Sequence, residues 1–242
     1  MGLKLMCVVA HPDDECYAFG GALALAADRG VETYVVCLTD GQAATNRGDA
    51  VSGDALGKMR RDEFSDSCSV LGVSHHELMD YQDGQLEFVN FSVAAGRLVE
   101  RIRRYKPDVV ITFGGDGGPN THPDHMMVSM LTTAAFHWAG QVKRYREEGA
   151  PFRAQRLYYV TANFHLPDRP PAVPMPWTVT LDIRGVRERK IEAFRRHVSQ
   201  APLMARTKEI FERHGAEELY ALVAATEPQA ARLTTDLFEG LE

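Results

Sequence analysis

Up to residue 139, short apolar runs alternate with longer segments of helical character. The pattern predicts strands at 4–10, 32–38, 75–79 and 108–113, and helices at 17–29, 55–71, 91–105 and 124–139. Strands that alternate with helices are joined by right-handed crossovers and pair mostly in parallel. The alternation therefore predicts an α/β fold, a Rossmann-like and mostly parallel sheet with helices on both faces.

The rest of the chain is less regular, but nothing in it marks a second domain. Further strands are predicted at 155–162 and 177–183, and further helices at 186–198 and 203–213. No repeat, low-complexity tract or clean linker interrupts the 242 residues. We expect one domain over 1–242, with a core at about 4–200, a helical C-terminal extension, and the part after about residue 150 added to a sheet edge.

The net charge and the cysteine content limit which partners and which cellular compartment we expect for this protein. The 27 Lys and Arg against 33 Asp and Glu give a net charge of −6, whereas nucleic-acid binders usually present a basic face. The four cysteines form no CxxC pair, and Cys7 and Cys37 lie in apolar runs typical of buried free thiols. We find no secretory signal and no apolar run of bilayer length. We expect a cytoplasmic protein with a small-molecule substrate, without a nucleic-acid partner or membrane contact.

Two predicted strands are followed by the same tripeptide, His-Pro-Asp. The run from His11 to Glu15 follows the first strand, and the run from His122 to His125 follows a glycine-rich loop after the strand at 108–113. Parallel sheets bind ligands beyond the carboxyl ends of their strands, so both runs are expected to face one crevice. An Asp cap or a Pro in a first helical turn explains either run alone. Their repetition after two strands favours a functional site.

Two imidazoles and one carboxylate are a common catalytic zinc set. His11 and Asp14 are three residues apart in a turn, and His125 is the matching histidine of the second run. Zinc lowers the pKa of bound water to about 7, so a neighbouring carboxylate such as Asp13 is a candidate general base. Ferrous iron fits the same ligands.

The second run supplies two further candidate catalytic groups. As an imidazolium, His122 is a candidate to stabilise an oxyanion or to protonate a leaving amine. Asp124 is a candidate to hold one of the histidines in the required tautomer.

The paired motifs AHPDDE and HPDH resemble those of the LmbE/PIG-L family of metal-dependent N-acetyl deacetylases. The resemblance runs from about residue 4 to 200 and extends to Thr39-Asp40-Gly41, Arg60 and Glu63 before Leu71-Gly72-Val73, the stretch Asp80 to Leu86, and His197-Val198-Ser199-Gln200. Family members include bacillithiol- and mycothiol-pathway enzymes that act on N-acetylglucosamine-containing molecules. The resemblance implies a hydrolase of that substrate class that uses metal-activated water, and it makes a homo-oligomer an expectation.

The resemblance also implies roles for individual residues. Zinc is held by His11, Asp14 and His125. Asp13 is the general base, and His122, supported by Asp124, polarises the amide or protonates the leaving amine.

Three other residues are expected near the substrate: Arg47, Arg60 and His197. Arg47 either meets an anionic aglycone or is a solvated loop charge. Arg60 lies three residues from Glu63 on one helix, a spacing at which Glu63 forms a structural pair. His197 is assigned to the site by the resemblance alone. Gln42 stands where many family members have glutamate, which points to a different substrate or pose.

Two alternatives remain at this stage. The same zinc site fits an amidase that acts on a thiol-sugar conjugate or on another amide substrate. A Rossmann-like nucleotide-binding module without catalysis is disfavoured, because the first strand is followed by carboxylates rather than by G-x-G-x-x-G. Carboxylates at that position would repel a pyrophosphate.

Overall fold

Seven strands form one sheet within the described residues, which are 2–166, 169, 171–228, 230 and 232–241 of a computed structural model. They are β1 (Lys4–Val9), β2 (Glu32–Thr39), β3 (His75–Tyr81), β4 (Val109–Phe113), β5 (Arg156–Thr161), β6 (Val179–Asp182) and β7 (Glu217–Ala225). Their order is β3-β2-β1-β4-β5-β7-β6. Strands β1 to β5 pair in parallel, and β7 is antiparallel to both β5 and β6. The prediction of a mostly parallel α/β sheet is confirmed.

Helices cover both faces of the sheet, as predicted. They are α1 (Asp14–Tyr17), α2 (Gly20–Asp28), α3 (Gly53–Leu71), α4 (Phe91–Tyr105), α5 (Pro123–Ala139), α6 (Arg187–Arg195) and α7 (Ala201–His214). Successive residues of β1 point to opposite faces, so Cys7 packs with α2, α3 and α6, whereas Met6 and Val8 pack with α4 and α5. A parallel sheet covered on both faces explains why its strands read as continuous apolar runs. Among the described helices, none combines the length and the apolar character needed to cross a bilayer.

The strand order reverses direction at β1. This strand lies between β2 and β4, so the chain builds β2 and β3 on one side of it and β4 and β5 on the other. In such sheets the ligand crevice lies at this switch point, beyond the carboxyl ends of the strands. His11 follows β1 directly, and the loop after β4 leads into α5 at His122.

The structure differs from the predicted elements in two places. The predicted helix at 17–29 begins later, as α2 at Gly20, and residue 17 instead ends the separate α1. The Glu218 carboxylate accepts from the backbone N–H groups of Gly21 (2.7 Å) and Ala22 (2.9 Å) and so caps α2. The predicted helical C-terminal extension is also incomplete, since α7 is followed by β7. That strand lies inside the sheet between β5 and β6, and its backbone pairs with both.

Candidate metal centre

The turn after β1 holds Asp13 in a backbone conformation that is rare outside glycine. Its φ is 107° and its ψ is −27°. The Asp13 N–H donates to Oε2 of Glu15 (2.8 Å), and its carboxylate accepts from Nη2 of Arg60 (2.9 Å). Asp14 follows as the first residue of α1, and its Oδ2 accepts from the backbone N–H of His11 (2.9 Å). The turn therefore fixes two neighbouring carboxylates by different contacts.

The Asp14 carboxylate lies between two imidazoles. Its Oδ1 is 3.2 Å from Nε2 of His125, and its Oδ2 is 3.6 Å from Nδ1 of His11. The other nitrogen of each ring is already bound: His11 Nε2 donates to Oδ2 of Asp124 (3.1 Å), and His125 Nδ1 donates to the Gly117 carbonyl (3.1 Å). Histidines that bind metals typically donate their second nitrogen to a carboxylate or a backbone carbonyl. This donor set therefore fits a divalent metal.

A third imidazole, His122, lies beside the two candidate ligands. The ring nitrogens of His11, His122 and His125 include a set within 4.8 Å of one another. His122 caps the N-terminus of α5, where its Nδ1 accepts from the backbone N–H of Asp124 (3.1 Å). A neutral ring in this position carries its proton on Nε2. A second proton on Nδ1 would oppose the N–H of Asp124 and the positive end of the helix.

The pKa of His122 agrees with this geometry. Burial, together with the charges of His11 and His125, lowers the pKa of His122 to about 4. A pKa of about 4 favours a neutral imidazole that offers an N–H donor over the expected imidazolium, and the role of His122 stays a prediction.

Asp124 contacts a different histidine from the one predicted. The carboxylate is 1% exposed, and it accepts from His11 Nε2 and from the backbone N–H groups of Gly84 (2.7 Å) and Leu86 (3.2 Å). The expectation that its side chain supports His122 is wrong, because only its backbone N–H reaches that ring. Asp124 instead orients a candidate metal ligand.

Sequence reasoning missed Asp83, a second acceptor for the same histidine. Its Oδ1 is 3.0 Å from His11 Nε2, and its Oδ2 accepts from the Ala43 N–H (3.0 Å). Gln42 contributes here as well, because its Oε1 accepts from the Asp83 N–H (3.3 Å). The signal was present in the stretch Asp80 to Leu86, which carried part of the family resemblance without an assigned role.

The two adjacent aspartates have opposite pKa shifts. Burial raises the pKa of Asp13 to about 6, although the Arg60 guanidinium opposes this effect. Burial also acts on Asp14, but the positive charges and hydrogen bonds of His125 and His11 outweigh it and hold the pKa of Asp14 well below its usual range. A carboxylate with a pKa near the working pH suits a general base, whereas one that stays ionised suits a cation ligand.

Arg60 contacts Asp13, the candidate base. Its guanidinium is buried and donates to the carbonyl oxygens of Gly41 (3.1 Å) and Pro12 as well as to Asp13. Gly41 has a φ of 66°, and a Cβ atom there would collide with this guanidinium, which explains the glycine in Thr39-Asp40-Gly41. Arg60 is placed to orient Asp13, and its contact with substrate stays a prediction.

The other two residues expected to contact the substrate differ in exposure, since His197 is buried and Arg47 is exposed. His197 has no exposed side-chain surface, and its Nε2 donates to Oε1 of Glu15 (2.8 Å). The expectation that it touches the substrate is therefore corrected by its burial. Arg47 is exposed in the loop between β2 and α3 and forms no ion pair with any described residue. Its contact with an anionic aglycone stays a prediction.

Comparison with known proteins gives a family and a fold. The family model described as "PIG-L: GlcNAc-PI de-N-acetylase" matches residues 6–136. The 1D-myo-inositol 2-acetamido-2-deoxy-alpha-D-glucopyranoside deacetylase of Rhodococcus jostii is 30% identical over 98% of both chains. The mycothiol S-conjugate amidase of Streptomyces coelicolor is also 30% identical, over 65% of this chain and 60% of its own length.

A solved structure extends the comparison of the fold. The N,N'-diacetylchitobiose deacetylase of Pyrococcus horikoshii superimposes with a TM-score of 0.74 at 24% identity, and the match covers 91% of this chain and 83% of that one.

Proposed function

The chain belongs to the PIG-L family, and from this premise we propose that it removes the acetyl group from an N-acetylglucosamine-containing small molecule by metal-dependent hydrolysis. The observation that carries the proposal is the Asp14 carboxylate between His11 and His125, directly beside the buried Asp13. Relatives named as deacetylases of such substrates support the choice of substrate class.

We assign the metal to His11 Nδ1, Asp14 and His125 Nε2, with zinc as the expected ion and ferrous iron as the alternative. When bound, the ion supplies a polarised acyl carbonyl and a water of lowered pKa. Asp124 and the Gly117 carbonyl hold the two imidazoles by their remaining nitrogens. These contacts fix the tautomers in which Nδ1 of His11 and Nε2 of His125 are unprotonated.

The remaining steps of the proposed reaction are assigned to Asp13 and His122. Asp13 accepts a proton from the attacking water, since a pKa of about 6 leaves it mostly ionised at neutral pH. His122 donates its Nε2–H to the oxygen on which negative charge develops. The proton held by Asp13 then passes to the nitrogen as the C–N bond breaks. Amide and water are thereby converted into acetate and a free amine.

A second candidate reaction uses the same site on a larger acyl group. Similarity to a mycothiol S-conjugate amidase favours it, but that match covers about two thirds of this chain, whereas the deacetylase match covers nearly all of it. The two reactions differ in the acyl group that the pocket accepts. A series from acetyl to longer acyl groups on one amino sugar separates them.

The proposal also includes a cytoplasmic location and a small-molecule amino-sugar substrate. All four cysteines are buried and unpaired, which is the state expected in a reducing compartment.

The test is acetate release by zinc-loaded protein, with Asp13→Asn as the matched control. The substrates are free N-acetylglucosamine, its malate and inositol glycosides, and diacetylchitobiose. Release that requires both metal and Asp13 supports the deacetylase, and the preferred aglycone identifies the substrate. If zinc binds but no substrate releases acetate, while a longer acyl amide is cleaved, the amidase replaces the deacetylase.

A further inference from the structure

A second buried network lies behind the candidate base. Its centre is Glu15, which is fully buried and follows Asp14 in α1. One carboxylate oxygen accepts from the Asp13 N–H, and the other accepts from the Ser67 hydroxyl (2.5 Å) and from His197 Nε2 (2.8 Å). The carboxylate therefore links the backbone of the base to α3 and to the segment after α6.

His197 is held in this network from the far end of the chain. It lies 182 residues from Glu15, with no exposed side-chain surface. Its Nδ1 is 4.0 Å from Oε2 of Glu63, and Glu63 accepts from both the N–H and the hydroxyl of Ser199 (2.7 Å each). Through Glu63, helix α3 thus holds residues 197–199 in place and positions the imidazole of His197 against Glu15.

The backbone of Asp13 needs such support. A non-glycine residue with a φ of 107° is strained, and strained residues persist only where their surroundings hold them. The N–H of Asp13 is held by Glu15, and its carboxylate is held by Arg60. Among the described residues, two side chains donate to Glu15 and hold its orientation, Ser67 and His197.

We propose that His197 is a positioning residue that holds Asp13 in its working geometry through Glu15. The inference rests on the proposed function, in which Asp13 is the base. His197 fixes the carboxylate that binds the Asp13 N–H, so loss of its Nε2–H lets Glu15 turn and releases the strained peptide. The carboxylate of Asp13 then leaves its position relative to the attacking water.

The experiment compares His197→Ala with His197→Gln in the full-length, zinc-loaded protein. Because displacement of a catalytic group by about 1 Å costs on the order of 10²-fold in rate, His197→Ala should lower kcat by about that factor. KM and zinc content should not change, since this side chain has no exposed surface and does not contact the candidate metal ligands. Glutamine places an N–H donor near the position of Nε2, so His197→Gln should recover most of kcat.

A spectroscopic readout follows the Asp13 peptide without reference to activity. The backbone ¹H–¹⁵N resonance of Asp13 should shift in His197→Ala and return in His197→Gln. Tyr220→Phe is the matched control, because it also removes a buried donor to a buried glutamate, Glu218 (2.8 Å), in a different network. It should leave both the resonance and kcat unchanged. Should His197→Ala fail to fold, Ser67→Ala removes the other donor and should shift the same resonance.

Two results overturn the inference. One is a His197→Ala protein with wild-type kcat or an unshifted Asp13 resonance. The other is a folded His197→Gln protein that recovers neither property. If the wild-type protein releases no acetate but the Asp13 resonance follows His197, the proposed function fails and the positioning role stands. If the wild type is active and the resonance does not respond, the positioning role alone fails.

Discussion

The two His-Pro-Asp turns have the same sequence, but they differ in backbone conformation and in the helix that follows. After β1, the tripeptide precedes a helix of only 4 residues, and Asp13 takes a left-handed conformation. After β4, it begins a helix of 17 residues, and His122 becomes an ordinary N-cap with Pro123 in the first turn. The first turn holds its aspartate against Arg60, whereas the second buries its aspartate against His11.

The pKa shifts of the corresponding residues in the two turns also have opposite signs. Hydrogen bonds with Asp124, Asp14 and Asp83 outweigh burial and raise the pKa of His11, whereas burial and two neighbouring imidazoles lower the pKa of His122. Burial raises the pKa of Asp13, whereas hydrogen bonds to His11 and two backbone N–H groups overcome burial at Asp124 and lower its pKa. Because the tripeptide itself is identical, these differences between its residues are set by their neighbours.

Removing the base should have the largest effect. Asp13→Asn keeps the shape of the turn and an amide oxygen that accepts from Arg60, but it removes the proton acceptor. We expect kcat to fall by about 10²–10⁴-fold with KM nearly unchanged. Steady-state kinetics on the best substrate measures this effect. A kcat within a few-fold of wild type would remove Asp13 from the role of base.

Removing the neutral imidazole should have the next largest effect. His122→Asn retains a side chain that caps α5 well but loses the Nε2–H donor. Loss of one oxyanion donor costs about 10²–10³-fold in kcat, with zinc content retained. Kinetics together with metal analysis measures both quantities. An unchanged kcat would contradict the assignment of His122.

The second aspartate should behave unlike the first. Asp124→Asn weakens the contact that orients His11, so we expect zinc affinity to fall by about 10–100-fold, as for other residues that support metal ligands. Excess zinc should restore most of the activity, which it cannot do for Asp13→Asn. Competition with a chromogenic chelator gives the affinity. If zinc affinity is normal and activity cannot be restored, the two aspartates share one role.

The smallest effect is a difference in titration between the turns. In the metal-free protein, the Asp13 carboxyl should titrate at a pKa of about 6 and the His122 ring at about 4. As the pH falls, Asp13 therefore takes up its proton before His122 does. Adding a divalent cation should lower the pKa of Asp13, because a positive charge favours the carboxylate. Carbon and nitrogen NMR of the two side chains follows these changes, and an Asp13 that titrates at its ordinary pKa would contradict the account.

Local sequence patterns predicted most helices and strands, and the exceptions arise from contacts between residues that are distant in sequence. Helix α4 spans the predicted residues 91–105, because its apolar spacing faces one core and Asn90 caps it. Strand β7 was missed, because its Glu-, Leu- and Ala-rich sequence favours helix and only pairing with β5 and β6 makes it a strand.

In the candidate site, too, local patterns predicted some features and distant contacts determined the others. The two His-Pro-Asp motifs predicted which strand ends meet, since the carboxyl ends of β1 and β4 adjoin in a parallel sheet. They did not predict the partner of Asp124, which lies 113 residues away in sequence. The tautomer of His122 depends on the backbone N–H of Asp124, and the placement of His197 depends on Glu15 and Glu63, which are both distant in sequence. No local pattern carries either fact.

Bound zinc and released acetate, measured side by side in wild type, Asp13→Asn and His125→Ala, test the separation of base from ligand most directly. We expect about one zinc per chain in wild type and in Asp13→Asn, with acetate released only by wild type. We expect loss of both zinc and activity in His125→Ala, because that variant removes a proposed ligand that lies 3.2 Å from Asp14. Zinc lost from Asp13→Asn, or kept in full by His125→Ala, would contradict the separation of base from ligand.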